Sequence, residues 1–255
     1  MTIIIFVIGI IIGSFLNVCT IRIPKGESII YPPSHCTKCG KKLKWYDMMP
    51  ILSYIIIKGR CRYCNEKIGF RYFGFEILCG TIFLMLYLKY GYNLITLKYI
   101  ALFSVLFIIS VIDFDTQVVY LCTTLPGILV GVIFIVINLF YKNSIHEYLF
   151  AAILYSGIIV LINFAGKAFI KKTVFGMGDA EVIFMCGLFL GMKFSMLMLF
   201  MTIILAGAVS MILMLLKLKS KTDYVAFVPF IAITSMVTVL YGQNILNFYN
   251  NFFLL

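Results

Sequence analysis

The sequence predicts an all-α polytopic membrane protein with about eight transmembrane helices and a small cytoplasmic insertion after the first helix. Of its 255 residues, 63% are hydrophobic and only 12% are charged, which is far from the balance of a soluble domain. Apolar stretches such as residues 125–141, 148–165 and 194–216 approach or exceed the roughly 20 residues that cross about 30 Å of hydrocarbon. Because a segment in lipid must satisfy its own backbone hydrogen bonds, these stretches are predicted to be helices.

The predicted spans cover residues 2–20, 73–90, 98–112, 124–141, 148–165, 180–192, 194–216 and 224–247. The first run is similar to a secretory signal, but a basic n-region and a small-residue cleavage site are missing from it, so we expect a retained span. Lys193 interrupts the apolar stretch at 182–216, which predicts a helical hairpin there. One kinked helix is the alternative, and it would reverse the last segment.

Basic residues are distributed unevenly over the predicted loops. With the N-terminus outside, the loops at 22–71, 167–172 and 217–221 face the cytoplasm and carry 17 of the 21 Lys and Arg residues. The remaining four are Lys89, Lys98, Lys142 and Lys193. This bias fits the positive-inside rule, so the formal charge of +11 does not require nucleic acid as a partner. The same orientation puts Asp113 and Asp179 at the cytoplasmic ends of their spans.

Three regions are predicted along the chain. Residues 1–20 form the first transmembrane helix, residues 21–72 form the cytoplasmic insertion, and residues 73–255 form a membrane domain. The insertion holds four of the six prolines, most of the charge and half of the eight cysteines.

Two C-x-x-C pairs, at residues 36–39 and 61–64, lie in the insertion with 21 residues between them. Two residues between cysteines let both thiolates of a knuckle face one ion, and four thiolates complete the tetrahedral shell that Zn²⁺ prefers. The predicted ligands are Cys36, Cys39, Cys61 and Cys64. Since all four positions come from the protein, the zinc is expected to be structural, and it would stabilise a region too small to fold securely alone.

Alternatives to this zinc site remain at the level of sequence. Two disulfides are possible, although a reducing cytoplasm disfavours them. His35 could replace one thiolate, but an ordinary loop histidine is the simpler interpretation. The other cysteines, which show no metal-ligand spacing, are expected to be small buried hydrophobic residues; they are Cys19, Cys79, Cys122 and Cys186.

Two aspartates end or begin predicted spans, where a carboxylate in hydrocarbon costs at least about 2.5 kcal/mol. Asp113 ends the run at 108–112, and Asp179 follows Gly-Met-Gly at 176–178. Two carboxyl groups at one membrane depth could share a proton and a water, as aspartic proteolysis requires. Solvated helix ends are the alternative interpretation.

Three other acidic residues near the spans are less favoured. Asp115 is predicted to be solvated in the loop that follows Asp113. Glu181 is expected to point to another helix face than Asp179. Glu76 is expected in the first turn of the second span near Arg71, with a dipole or salt-bridge role.

Several short motifs follow one another along nearly the whole chain. They are G-S-F-L-N-V at 13–18, R-I-P at 22–24, P-S-H-C at 33–36, both cysteine pairs, P-I-L-S-Y at 50–54, G-R-C at 59–61, R-Y at 71–72 with Glu76, I-D at 112–113 and G-M-G-D at 176–179. Together they resemble the type IV prepilin peptidases, also called leader peptidase/N-methyltransferases, which are G-x-G-D membrane aspartyl proteases.

The resemblance implies that Asp113 and Asp179 are catalytic and that the substrates are prepilins or pseudopilins, cut after a glycine at the cytoplasmic face of the membrane. It also implies methylation of the new N-terminal residue with S-adenosylmethionine, an activity associated with the cysteine-rich insertion. No glycine-rich nucleotide loop marks the residues that would bind this cofactor. Two readings from other classes remain: an ion-coupled transporter with the aspartates in a proton relay, and a scaffold of a secretion machine.

The chain departs from the family pattern at three places. Tyr120 stands where the family usually has a proline, and Leu121 stands where it often has an acid. The segment at 227–232 keeps only part of a proline-rich pattern. These departures bear on loop conformation and substrate preference rather than on the catalytic groups.

Overall fold

A computed structural model describes residues 1–36, 38–140, 145–169, 175–220 and 224–253. The α-helices of these residues are α1 (Thr2–Arg22), α2 (Leu52–Ile56), α3 (Phe70–Tyr90), α4 (Leu94–Thr116), α5 (Leu121–Phe140), α6 (His146–Phe169), α7 (Met177–Leu215) and α8 (Val228–Phe253). Seven of them, all except α2, are long and apolar enough to cross a membrane. No strand occurs in the described ranges, so the all-α polytopic prediction is confirmed.

The chain divides into two compact units, Met1–Thr96 and Leu97–Leu255. In the first unit, α1 and α3 run antiparallel and approach closely through small residues. A Cβ atom on Gly9 would lie 2.8 Å from the Cα atom of Gly80, and one on Gly13 would lie 2.6 Å from the Cβ atom of Cys79. This approach gives the two helices extensive van der Waals contact, which replaces the hydrophobic driving force that is absent between helices in lipid.

The second unit is built around the first half of α7, most of which is fully buried. Helix α6 lies against it so closely that a Cβ atom on Gly187 would come within 2.4 Å of the Cα atom of Ala152. Helix α5 contacts the same half of α7, where Phe134 and Phe189 have ring centroids 6.1 Å apart. Small residues and close ring contacts at these positions hold the bundle together in the absence of bulk water.

Helix α7 reverses direction at Gly191, where φ is 73° and ψ is −178° inside a 39-residue element. Cys186 contacts Ser235, and Thr202 contacts the adjacent Thr234 of α8. A straight helix would separate residues 186 and 202 by about 24 Å, so the two halves of α7 must fold back on each other.

Helix α7 therefore consists of two antiparallel helical halves joined at Gly191, which is the predicted hairpin. Phe194, just past the turn, lies against Gly242 near the far end of α8, which agrees with that geometry. Only glycine adopts such backbone angles at little cost, so the turn falls on Gly191 rather than on the neighbouring Lys193. The predicted alternative of a single kinked helix is wrong.

Several helices begin earlier or later than their apolar runs predict. Helix α3 begins at Phe70, which places Glu76 in the second turn instead of the first. Helix α4 begins at Leu94, because the Asn93 side chain accepts the Thr96 N–H at 3.1 Å as a cap. The predicted outer-loop Lys98 is therefore inside α4 and buried, with its Nζ atom 4.5 Å from the Tyr148 ring centroid. Hydropathy alone does not register capping residues, which explains these shifts.

Parts of the predicted cytoplasmic and outer loops fall outside the described residues. These parts are Lys142, Lys171, Lys172 and Lys221.

Candidate active site and metal centre

Asp113 and Asp179 line one cavity of about 310 Å³ in the second unit. Asp113 comes from the last turns of α4, and Asp179 comes from the first turn of α7. The two residues are only 5% and 8% exposed, so both carboxyl groups are largely shielded from bulk water. The structure therefore brings together the two aspartates that the sequence singles out.

Each of the two carboxyl groups has one oxygen held by a backbone N–H at a helix N-terminus. Val228, the first residue of α8, donates to Oδ2 of Asp113 at 3.0 Å. Gly176, the cap residue of α7, donates to Oδ2 of Asp179 at 2.9 Å. Backbone donors and the positive end of a helix dipole favour a negative carboxylate, so both sites can hold the charge that a buried acid develops.

Gly178 lets the loop after α4 approach Asp179. A Cβ atom at position 178 would lie 2.5 Å from the Cβ atom of Val119, which also lines the cavity. Any other residue would push this loop away from the first turn of α7. The glycine of the G-x-G-D motif thus sets the width of the cavity next to the aspartate.

A non-helical segment at 224–227 lines the cavity before α8 begins, although the sequence predicts a helix from residue 224. Gln117 donates from its side-chain amide to the Tyr224 carbonyl at 3.1 Å, and the Lys219 ammonium donates to the same oxygen at 2.6 Å. Gln117 itself has a left-handed backbone with φ of 56°. No sequence signal distinguishes Gln117, because its partner lies more than 100 residues away.

A second contact ties the segment before α7 to the segment before α8. The rings of Phe175 and Phe227 have centroids 4.9 Å apart. The Phe175 N–H donates to the Asn163 side chain at 2.7 Å, and Asn163 is 4% exposed in the middle of an apolar run. Sequence reasoning missed Asn163, although a buried amide inside a span is a usable signal.

The remaining acidic residues are placed away from the shared cavity lining. Asp115 is exposed in the last turn of α4, on a different side of the helix from Asp113. Glu181 accepts a hydrogen bond from Thr124 of α5 at 3.0 Å. In the first unit, Glu76 is buried and accepts the Ile51 N–H at 2.8 Å.

The four predicted cysteine ligands come together in the first unit, with all Sγ atoms within 4.8 Å of one another. Both C-x-x-C pairs use the same hydrogen bonds. In each pair, the N–H of the first cysteine donates to the carbonyl of the fifth residue after it. The carbonyl of that cysteine accepts the N–H of the fourth residue after it, which is Gly40 in one pair and Asn65 in the other. These two residues have φ of 67° and 57°, so each chain turns back around its sulfur atoms.

The donor set fits a tetrahedral zinc ion. Sulfur atoms bound to zinc at about 2.3 Å lie about 3.8 Å apart, and Sγ of Cys36 is 3.8 Å from Sγ of Cys64. Backbone N–H groups of Cys39 and Lys38 lower the pKa of the Cys36 thiol to about 6. The Glu66 backbone lowers the pKa of the Cys64 thiol, but desolvation and the neighbouring thiols outweigh it and raise this pKa to about 12. Four adjacent thiolates need a cation to neutralise them.

The alternative cysteine interpretations do not match the structure. All eight cysteines are free thiols, which contradicts the two disulfides. The His35 ring contacts the Pro33 carbonyl at 3.1 Å, as a loop histidine would. Cys19, Cys79 and Cys186 are buried as expected, but Cys122 is exposed, because its position in the first turn of α5 faces away from the bundle.

Comparison with known families matches both units. Residues 7–90 match the bacterial peptidase A24 N-terminal domain, and residues 100–212 match the type IV leader peptidase family. The chain belongs to the type IV leader peptidase family. It is thus an enzyme of the peptidase class embedded in a bacterial membrane as a multi-pass protein.

Curated members of this family are similar over much of the chain. The chain is 32% identical to a protein of Myxococcus xanthus over 83% of its own length and 62% of that protein. It is 31% identical to one of Vibrio cholerae over 74% and 77%, and 27% identical to one of Bacillus subtilis over 96% of each. All three are named prepilin leader peptidase/N-methyltransferase. No solved structure matches the chain.

Two of the three departures from the family pattern, at Tyr120 and in the segment at 227–232, lie where helices begin. The Tyr120 carbonyl accepts the N–H of Thr123 at 2.9 Å and so caps α5. A proline at this position would keep the same carbonyl, so the exchange leaves the start of α5 intact. Pro229 is the second residue of α8, where the missing N–H of proline costs nothing.

Proposed function

We propose that this family member removes the basic leader peptide of type IV prepilins and pseudopilins, with Asp113 and Asp179 as its catalytic pair. One observation carries the proposal: two carboxyl groups from different helices line a single cavity, each with one oxygen fixed by a backbone N–H. The names of the relatives support the choice of substrate.

The proposed reaction needs one proton shared by the pair. The ionised aspartate takes a proton from a water molecule, and the water oxygen attacks the carbonyl carbon of the scissile peptide bond. The protonated aspartate gives its proton to the carbonyl oxygen. Collapse of the resulting diol breaks the C–N bond, and a proton passes to the leaving nitrogen. Like charges held close together in a buried site favour this singly protonated state.

The cavity is proposed to open toward the cytoplasm. The cavity lies at the end of the second unit where α4 and α7 end and where α7 and α8 begin. The exposed Lys217 follows α7 at this end. Basic residues at one end of a bundle mark its cytoplasmic side. A prepilin helix entering from the bilayer would keep its basic leader in the cytoplasm and present an unwound N-terminal end to the pair.

Methylation of the new N-terminal residue with S-adenosylmethionine is the second proposed activity, and the relatives' names support it. S-adenosylmethionine would supply the methyl group that the new N-terminal amine receives. Zinc held by Cys36, Cys39, Cys61 and Cys64 would stabilise the insertion. Because four thiolates leave the ion no open position, it would supply no group to proteolysis.

The test is substitution of each aspartate in the full-length protein, co-expressed with pilin-like proteins of the same genome. Asp113→Asn and Asp179→Asn should each abolish leader cleavage, because an amide can neither accept the water proton nor hold the shared one. Asp115→Asn, two residues from Asp113, is the matched control and should retain cleavage. Mass spectrometry of the mature N-terminus reports both cleavage and methylation. Substantial cleavage by either Asn variant at positions 113 or 179 would refute the pair.

A further inference from the structure

The insertion carries an exposed apolar surface, formed by the 3-10 turn Trp45–Met48, the next two residues and α2. Trp45 is the single tryptophan of the chain and is 74% exposed. The other exposed apolar residues of this interfacial patch are Met48, Met49, Leu52, Ile55 and Ile56. Because the 3-10 turn contacts α2, these side chains lie near one another, and a group of large exposed apolar side chains indicates a binding surface.

Hydrogen bonding fixes α2 beside the beginning of a membrane helix. The Ile51 N–H donates to the buried Glu76 at 2.8 Å, and Glu76 lies six residues into α3. That position is about 9 Å along the α3 axis from its first residue. The Tyr54 ring also stacks on Phe73 with centroids 5.2 Å apart. Because α3 is a candidate membrane span, its first two turns and α2 lie at the same depth.

Ile51 shows that this placement is enforced by the surrounding structure. Its φ of 60° and ψ of −56°, with the Leu52 N–H bonded to the Pro50 carbonyl, form a γ-turn that is costly for a β-branched residue. The carboxylate of Glu76 holds that turn in place. The short helix is therefore presented in one orientation against α3 rather than being left to move freely.

The charges around the patch are of one sign. The exposed charged residues of the segment at 41–58 are all lysines, namely Lys41, Lys42, Lys44 and Lys58. Its single acidic residue, Asp47, is buried and paired with Arg62 at 2.9 Å. Lysines beside tryptophan and aliphatic side chains are typical of segments that lie in an anionic membrane interface.

We propose that the interfacial patch inserts into the anionic headgroup region of the bilayer and docks the cysteine-rich insertion on the membrane surface. Both ends of the insertion continue into antiparallel membrane helices, α1 and α3, so the patch is tethered beside the lipid. On the proposed function, docking would hold the insertion at the cytoplasmic membrane face, where the new pilin N-terminus emerges. The basic leader is a poor occupant of the patch, because the four lysines repel it.

The single tryptophan makes the test direct. The full-length protein is placed in nanodiscs made of a phospholipid mixture that contains phosphatidylglycerol. The acyl chains of these phospholipids are brominated. Bromine quenches only nearby tryptophan, so most of the Trp45 fluorescence should be lost, while aqueous iodide should quench it weakly. Iodide quenching as strong as that of free tryptophan, without quenching by the brominated lipid, would overturn the proposal and leave a soluble protein as the occupant.

Matched variants test the extent of the patch and the role of charge. Moving the tryptophan to Ile30, which is 90% exposed in the same insertion but outside the patch, in a Trp45→Phe background should give much weaker bromine quenching. Ile56→Asn should reduce quenching of Trp45, whereas Ile30→Asn should not. Replacing Lys41, Lys42 and Lys44 by Gln, or omitting phosphatidylglycerol, should also reduce it. Equal quenching at positions 30 and 45 would refute a defined patch, and insensitivity to both charge changes would refute the anionic partner.

Discussion

The cysteine cluster is assembled from short local segments, whereas the aspartate cavity is assembled from helices that are distant in the sequence. The cysteines come from two short segments of the insertion, and each segment folds its backbone around its own sulfur atoms by the same pair of hydrogen bonds. The aspartates come from α4 and α7, and their positions depend on residues of α8 and of the segments that precede α7 and α8.

This difference determines what can disturb each site. A knuckle carries its geometry in about six consecutive residues, so the cluster should depend on its ligands and on the metal far more than on distant packing. The cavity has no such local template. Its geometry is fixed by close approach of helices and by hydrogen bonds between distant segments, so changes that touch neither aspartate should still alter catalysis.

The largest expected effect is on metal content, and it tests the independence of the two sites. Wild type should carry about one zinc ion per chain, and Cys61→Ser combined with Cys64→Ser should carry none. Cys122→Ser, an exposed cysteine outside the cluster, is the control and should keep its zinc. A double variant that still inserts into the membrane should cut prepilin, although more slowly than wild type. The pilin that it releases should have an unmethylated N-terminus.

Two results would contradict this separation of the sites. Zinc content unchanged in the double variant, measured by metal analysis, would remove the cluster as the ligand set. A double variant that stays folded and binds substrate but shows no cleavage would mean that the insertion takes part in proteolysis.

The next largest effect is expected at Gly178, where packing rather than chemistry is changed. Gly178→Ala puts a Cβ atom 2.5 Å from the Cβ atom of Val119 and should cost about 1–3 kcal/mol of stability. Because the displaced loop lines the cavity, cleavage should fall by on the order of 10-fold to 100-fold. Gly157→Ala, whose Cβ atom would meet no neighbouring helix within 4 Å, should lower neither stability nor cleavage. Adding Val119→Gly should restore part of the activity, and failure of that rescue together with a normal fold would argue against the steric explanation.

Local patterns in the sequence predict the cysteine cluster, both aspartates and the helical hairpin. Paired cysteines have a fixed ligand spacing, and acids at span ends are costly enough to need a purpose. Lys193 marks the end of the hairpin near the membrane surface, but the reversal itself requires a positive φ and therefore falls on Gly191.

Contacts between distant segments are not visible in those patterns. Such contacts shape the cavity at Gln117, at Asn163 and in the non-helical segment at 224–227. Tyr224 begins an apolar run that predicts a helix. In the structure, two side-chain donors hold its carbonyl and α8 begins only later. Tertiary hydrogen bonding overrides the local preference at this position.

A smaller effect is expected from removing one of those hydrogen bonds. Gln117→Met keeps the length of the side chain but loses the donor to the Tyr224 carbonyl, which should cost about 1 kcal/mol and lower cleavage several-fold. Lys217→Met is the matched control, since both residues have φ of 56° and the backbone cost of substitution is the same. Equal rates for the two variants in a detergent assay of cleavage would show that the segment at 224–227 does not depend on Gln117.

The smallest effect is expected at Glu181, which lies two residues from Asp179 but on another face of α7. Its carboxylate accepts a hydrogen bond from the Thr124 hydroxyl at 3.0 Å, and the amide oxygen of glutamine can accept the same bond. Glu181→Gln should therefore keep the contact between α5 and α7 and change cleavage by less than about threefold. Asp179→Asn, the same chemical change two residues earlier, should abolish it. Rate measurements on both variants decide whether an acid is catalytic because it points into the cavity or merely because it lies nearby. If the Glu181→Gln variant folds but is inactive, a third carboxylate takes part in the reaction, and the assignment of a two-residue site is wrong.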